Sequence, residues 1–135
     1  VTWDPGIARL RVSRVVSVID VGRVLNLGPA RNQVQGAIVM GVGMGIFEET
    51  HYDPRNGNPI NNNLADHVVS TCADSPEIDV TFLNYPDLTL NEYGARGVGE
   101  IGLAGVAPAI TAAVYHATGI RVRELPVKIE TLLRA

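Results

Sequence analysis

The chain has 135 residues, a formal net charge of -3 and 46% hydrophobic against 19% charged residues, so it can bury a core within one domain and is not a disordered polymer. Its eleven Lys and Arg are scattered without a basic run, which argues against a surface that neutralises nucleic-acid phosphates. The single cysteine, Cys72, cannot form an internal disulfide, so the fold does not depend on an oxidising compartment.

The chain opens Val1-Thr2-Trp3 and then turns at Asp4-Pro5-Gly6, a signal that normally joins two strands. Little strand precedes that turn, and the expectation is a piece of a longer polypeptide. Ala8 to Ile19 reads as a strand with Leu10, Val12, Val16 and Val18 on one buried face and Arg9, Arg11, Ser13 and Ser17 on the other. Asp20-Val21-Gly22 closes it. Asn26-Leu27-Gly28-Pro29 then starts a helix, with Pro29 at the first helical position.

From Ala30 to Thr50 the spacing predicts the principal helix. Val34, Ile38, Val42 and Ile46 form one ridge, and Gln33, Ala37, Gly41, Gly45 and Glu49 form a nearly bare ridge beside it. Glycines in a helix cost about 1 kcal/mol each, so this face predicts either close helix packing or room for a bulky ligand, with Gln33 offering an amide at its N-terminal end. The longest uncharged apolar run, Val34 to Phe47, falls short of the roughly 20 residues of a membrane span.

His51-Tyr52 predicts a strand that turns at Asp53 to Gly57. His51, Asp53, Asp66, His67 and Asp74 lack the spacing of metal ligands, so no metal-ligating residue is expected in this chain. Ile78 to Tyr85 reads as another strand, stopped by Pro86-Asp87. A second helix follows from near Gly105, with Leu103, Val106, Ile110, Val114 and Ala117 on one face and Gly119 as its cap. The tail, Ile120 to Ala135, predicts a short strand or an extended piece over Arg121 to Val127 and a last helical turn. Together these elements predict an α+β fold with two main helices on a mainly antiparallel or mixed sheet.

Between the second long strand and the second helix lies the glycine-rich turn Gly94-Ala95-Arg96-Gly97-Val98-Gly99-Glu100-Ile101-Gly102. Its lone acid, Glu100, reads either as a charge at a helix N-terminus or as a carboxylate on a pocket wall. Gly97 to Gly102 also matches the dinucleotide fingerprint G-x-G-x-x-G, with Glu124 near the distance for a ribose carboxylate. That fingerprint needs a strand ending at its first glycine, and here a loop intervenes.

Taken in order, Arg31-Asn32-Gln33-Val34-Gln35-Gly36-Ala37, Gly41-Val42-Gly43, Glu48 to Asp53, Gly94 to Glu100 and Ala113 to Gly119 resemble the C-terminal part of the molybdopterin-binding large subunit of the xanthine dehydrogenase and aldehyde oxidase family, closest to its bacterial multi-subunit type. The resemblance implies that residues 1–135 are one C-terminal part of that domain. It implies Glu100 as the active-site base in hydroxylating an aldehyde or N-heterocycle with water as oxygen source. Gln33 would contact the molybdopterin, expected in its cytosine dinucleotide form, and Gly97, Val98 and Gly99 would line the site by backbone. It further implies partners: the remainder of the large subunit, an iron-sulfur subunit, an FAD subunit and a small-molecule substrate, in a cytoplasmic or periplasmic enzyme. Arg96 stands where close relatives carry lysine. Two rivals remain at this point: a free-standing interaction module that keeps the fold without the cofactor, and the dinucleotide binder.

Overall fold

The computed structural model describes residues 1–133, so the end of the expected tail lies outside the described residues. β1 (Thr2–Asp4) and β2 (Arg9–Arg11) form an antiparallel hairpin with Trp3 opposite Leu10. Its turn is fastened by the Gly6 amide, which donates to the Asp4 carboxylate at 2.9 Å. β3 (Arg14–Asp20) pairs in parallel with β4 (Glu77–Leu83), from Arg14 opposite Glu77 to Asp20 opposite Leu83. A parallel pair needs a crossover, and the helix α1 (Leu27–Val42) lies in that connection. The expected α+β architecture therefore holds, with its strands divided between an antiparallel and a parallel pair.

One part of the strand reading is reversed. The single strand expected over Ala8 to Ile19 breaks at Val12-Ser13, where Ser13 and Arg14 are both exposed. Facing therefore changes sides: Leu10 and Val12 are buried, but Val15, Ser17 and Ile19 turn inward while Val16 and Val18 are exposed. An extra residue in a strand inverts every side chain beyond it.

In α1 the Val34, Ile38 and Val42 ridge is fully buried. Pro29 is the third helical residue rather than the first, still within the turn whose amides lack helical acceptors. The helix widens over Gly43–Phe47, where the Glu48 amide reaches back to the Gly43 carbonyl at 2.9 Å, and it ends before Thr50. The second helix, α2 (Val106–Thr118), packs on the bare ridge of α1. A Cβ on Gly41 would fall within the Val106 side chain, and one on Gly45 would meet Ile110 Cδ1 at 2.9 Å. Close packing, rather than a bulky ligand, accounts for those two glycines.

Val106, Ile110 and Val114 face the core from α2, whereas Ala117 is exposed, and Gly119 caps the helix with φ 76°. The expected strand at His51-Tyr52 shrinks to one bridge, Tyr52 to Pro59. No strand forms over Arg121 to Val127; the Val127 amide instead donates to the Gly45 carbonyl at 2.8 Å, and α3 (Ile129–Leu133) inserts Leu132 into the core.

Candidate functional site

The glycine-rich turn is fastened to the end of β3 by backbone. The Arg96 amide donates to the Val21 carbonyl and the Arg23 amide to the Gly94 carbonyl, each at 2.8 Å. Asn91 braces the same segment: its amide nitrogen donates to the Ala95 carbonyl at 2.8 Å, and its oxygen accepts from the Tyr93 and Ala95 amides. The Arg96 guanidinium then bridges two carboxylates, Asp20 and, at 3.0 Å, Asp87. Both acids are held below the usual carboxylate range. For Asp20 the Gly22 amide is the chief cause, at 2.8 Å, with Arg96 adding to it. For Asp87 it is the Thr89 hydroxyl, again with Arg96 adding to it.

Beyond Arg96 the loop is released. Among the described residues the amides of Gly97, Val98, Gly99 and Glu100 have no protein acceptor. Nothing lies within 4 Å of a Cβ placed on Gly97 or Gly99. The loop is anchored again at Gly102, which is buried against α1 with its Cβ position 3.2 Å from both Val34 Cγ1 and Ala37 Cβ. A run of turns through Glu100 and Leu103 carries the chain to α2, so Glu100 lies well ahead of Val106 and is not a helix N-terminal charge. It is exposed.

This arrangement brings two separated motifs to one hollow. Asn26, Pro29, Ala30 and Gln33 from the start of α1 face Val21 and Arg23 from the end of β3 and Ala95, Arg96 and Val98 from the loop. Gln33 and Val98 thus line one hollow. Gly97, Gly99 and Glu100 sit on the adjoining loop without lining the hollow itself. The clamp of Arg96 between Asp20 and Asp87 was not foreseen from sequence; the signals were Asp20-x-Gly22 and Asp87-x-Thr89, which read only as strand ends. The dinucleotide reading has no support here, because β4 ends at Leu83 and α2 begins only at Val106, so no strand-turn-helix surrounds Gly97.

A family model described as the molybdopterin cofactor-binding domain matches residues 1–76. The chain belongs to that family. The matched segment includes Gln33 and stops short of the Gly97 to Glu100 loop, which the full-length relatives cover. This molybdopterin-binding chain is 45% identical over 124 residues to the aldehyde oxidoreductase molybdenum-binding subunit of Escherichia coli K12, covering 92% of this chain and 17% of that subunit. It is 35% identical over 127 residues to the putative xanthine dehydrogenase molybdenum-binding subunit of the same strain, covering 93% and 16%. The aldehyde oxidoreductase of Desulfovibrio gigas superposes with a TM-score of 0.85 at 25% identity, over 98% of this chain and 14% of that one. The chain therefore spans about a sixth of the length of the curated relatives it matches.

The residues at the hollow and on the loop beside it suit such a cofactor. Molybdopterin presents oxygen, nitrogen and phosphate groups that need donors. Free amides on a loop with open space at its glycines, beside a carboxamide and flanked by Arg23, form a donor set of that kind.

Proposed function

We propose that this chain forms part of a molybdenum hydroxylase that oxidises an aldehyde or an N-heterocycle with water as oxygen source. It holds part of the cofactor through Gln33 and through the backbone of Gly97, Val98 and Gly99, and it supplies Glu100 as the base. The observation that carries this reading is the meeting of Gln33 and Val98 at one hollow, with the Glu100 loop pinned on both sides by Arg96 and Gly102. Relatives named for aldehyde and xanthine oxidation support the substrate classes.

When bound, the cofactor, in its cytosine dinucleotide form, supplies the centre for oxygen transfer and accepts two electrons. The Gln33 amide both donates and accepts, which orients a heterocyclic edge as a charged side chain would not. The Gly97 to Gly99 amides bring donors close without side chains in between. Glu100 would take the proton from the water-derived oxygen as it bonds to the substrate carbon, whose hydrogen leaves with the two electrons that the cofactor accepts, and a carboxylate does so best from a site that excludes water. Because Glu100 is exposed in this chain, the remainder of the large subunit completes that site. The electrons leave through iron-sulfur and FAD partners.

Glu100→Gln in the assembled enzyme tests this. The expected result is a fall in kcat of about 10²- to 10⁴-fold, the usual contribution of a general base, with molybdenum content unchanged. Retained kcat would reduce Glu100 to a loop charge. Gln33→Ala should instead lower the bound pterin per polypeptide, as read by its fluorescence after release.

A further inference from the structure

Among the described residues one edge of β3 has no strand partner, and the strand pairs only with β4. Its register, with the Glu77 amide donating to the Ser13 carbonyl at 3.0 Å, turns the peptide groups of Val15, Ser17 and Ile19 toward β4. Peptide groups alternate along a parallel strand, so those of Val16 and Val18 point to the free edge. Both residues are 59% exposed. Proteins blunt such edges with charge, proline or a covering element, and a two-stranded sheet is marginal by itself. Val16 and Val18 do none of this.

A trough runs along that edge beside α2. Its two stretches share Val15, Val16, Val106 and Ala109; Val1 stands at one end, and Ile101 with Gly102 at the other. The ladder between β1 and β2, with Thr2 opposite Arg11 and Asp4 opposite Arg9, aims the chain ahead of Val1 past Val12 and onto β3. Each residue further upstream falls beside a later residue of β3.

We propose that in the full-length polypeptide the segment immediately preceding Val1 lengthens β1 and pairs antiparallel with the free edge of β3, filling the trough against α2. This rests on the reading of the chain as part of a longer molybdenum subunit. The added strand makes β3 a central strand and packs alternate apolar side chains over Val106 and Ala109. It also passes Ile101 and Gly102, the residues that follow Glu100, so it builds a wall next to the base.

The test is amide exchange at single-residue resolution on the native-source polypeptide, with molybdenum measured on the same sample. The Ser17 amide, which faces β4, is the internal reference. The Val16 and Val18 amides should exchange at least about a hundredfold more slowly than unprotected amides and within about tenfold of Ser17. Fast exchange at Val16 and Val18 beside a protected Ser17 overturns the proposal, as does a natural polypeptide that starts at Val1.

A short photo-cross-linker on Val18→Cys, in a Cys72→Ser background because Cys72 is exposed, identifies the occupant. Cross-links should map to the residues just upstream of Val1. Cross-links to a distant segment, another subunit or a second copy overturn the assignment. Absence of molybdenum counts against the proposed function alone, since exchange and cross-links are scored without it.

Discussion

Arg96 sits between two carboxylates that are held low chiefly by the Gly22 amide and the Thr89 hydroxyl, with Arg96 adding to both, and together these groups decide how the site loop answers to pH. The guanidinium stays charged throughout, so only Asp20 and Asp87 titrate. Both bind their protons less tightly in the folded chain than a free carboxyl does. Their contribution is therefore complete above the ordinary aspartate value of about 3.9 and is lost as pH falls through the lower folded values, because the unfolded chain takes up protons first. Protection of the Arg96 amide, bonded to the Val21 carbonyl, should fall across that window once intrinsic exchange is divided out. In Arg96→Gln the fall should be shallower. Equal slopes would assign the whole effect to the Gly22 amide and the Thr89 hydroxyl, which also hold these acids.

At the scale of elements, two glycines of α1 should respond in opposite directions. Gly36 has nothing within 4 Å of its Cβ position, so Gly36→Ala should stabilise by up to about 1 kcal/mol through helix propensity. Gly41→Ala gains the same term and meets Val106; overpacking of about 1 to 3 kcal/mol outweighs it. Denaturant midpoints of the assembled protein should therefore rise for Gly36→Ala and fall for Gly41→Ala, and Val106→Ala should recover part of the second loss. A rise for both would mean that α1 and α2 have room to part.

These helices also show what could be read from sequence. Val34, Ile38 and Val42, like Val106, Ile110 and Val114, are neighbours on a helix through local geometry, and the 3.6-residue period exposes them. β3 was harder, because one extra residue at Val12-Ser13 inverts its faces without leaving a compositional mark. Its parallel pairing with β4 and the clamp of Arg96 on Asp20 join positions far apart in the chain, and no local period encodes either. Gln33 and Glu100 stand out locally, as an amide at the head of a bare ridge and a lone acid in a glycine-rich turn, but only the family pattern gives them roles; local pattern leaves Glu100 open to a helix-end reading that the fold does not bear out.

For the whole molecule, surface area decides what the chain can do alone. It exposes 8713 Å², whereas a folded monomer of 14.4 kDa is expected to expose about 6,800 Å². The excess is about twice the ~800 Å² that one partner gives to a standard protein interface, and the exposed surface includes large apolar side chains such as Val16, Val18, Leu25, Leu64 and Leu88. Glu100 and Gln33 lie on this exposed surface. The base proposed for Glu100 would compete with solvent for its proton in open water, and a cofactor held along one side, as proposed for Gln33, would have neither orientation nor shelter. The isolated 135 residues, supplied with the molybdenum cofactor and an aldehyde, should therefore show no sustained hydroxylation, while the assembled enzyme containing them turns over under the same conditions. Steady turnover by the isolated chain would show that these 135 residues carry a complete site, and the role proposed for a surrounding polypeptide would fall.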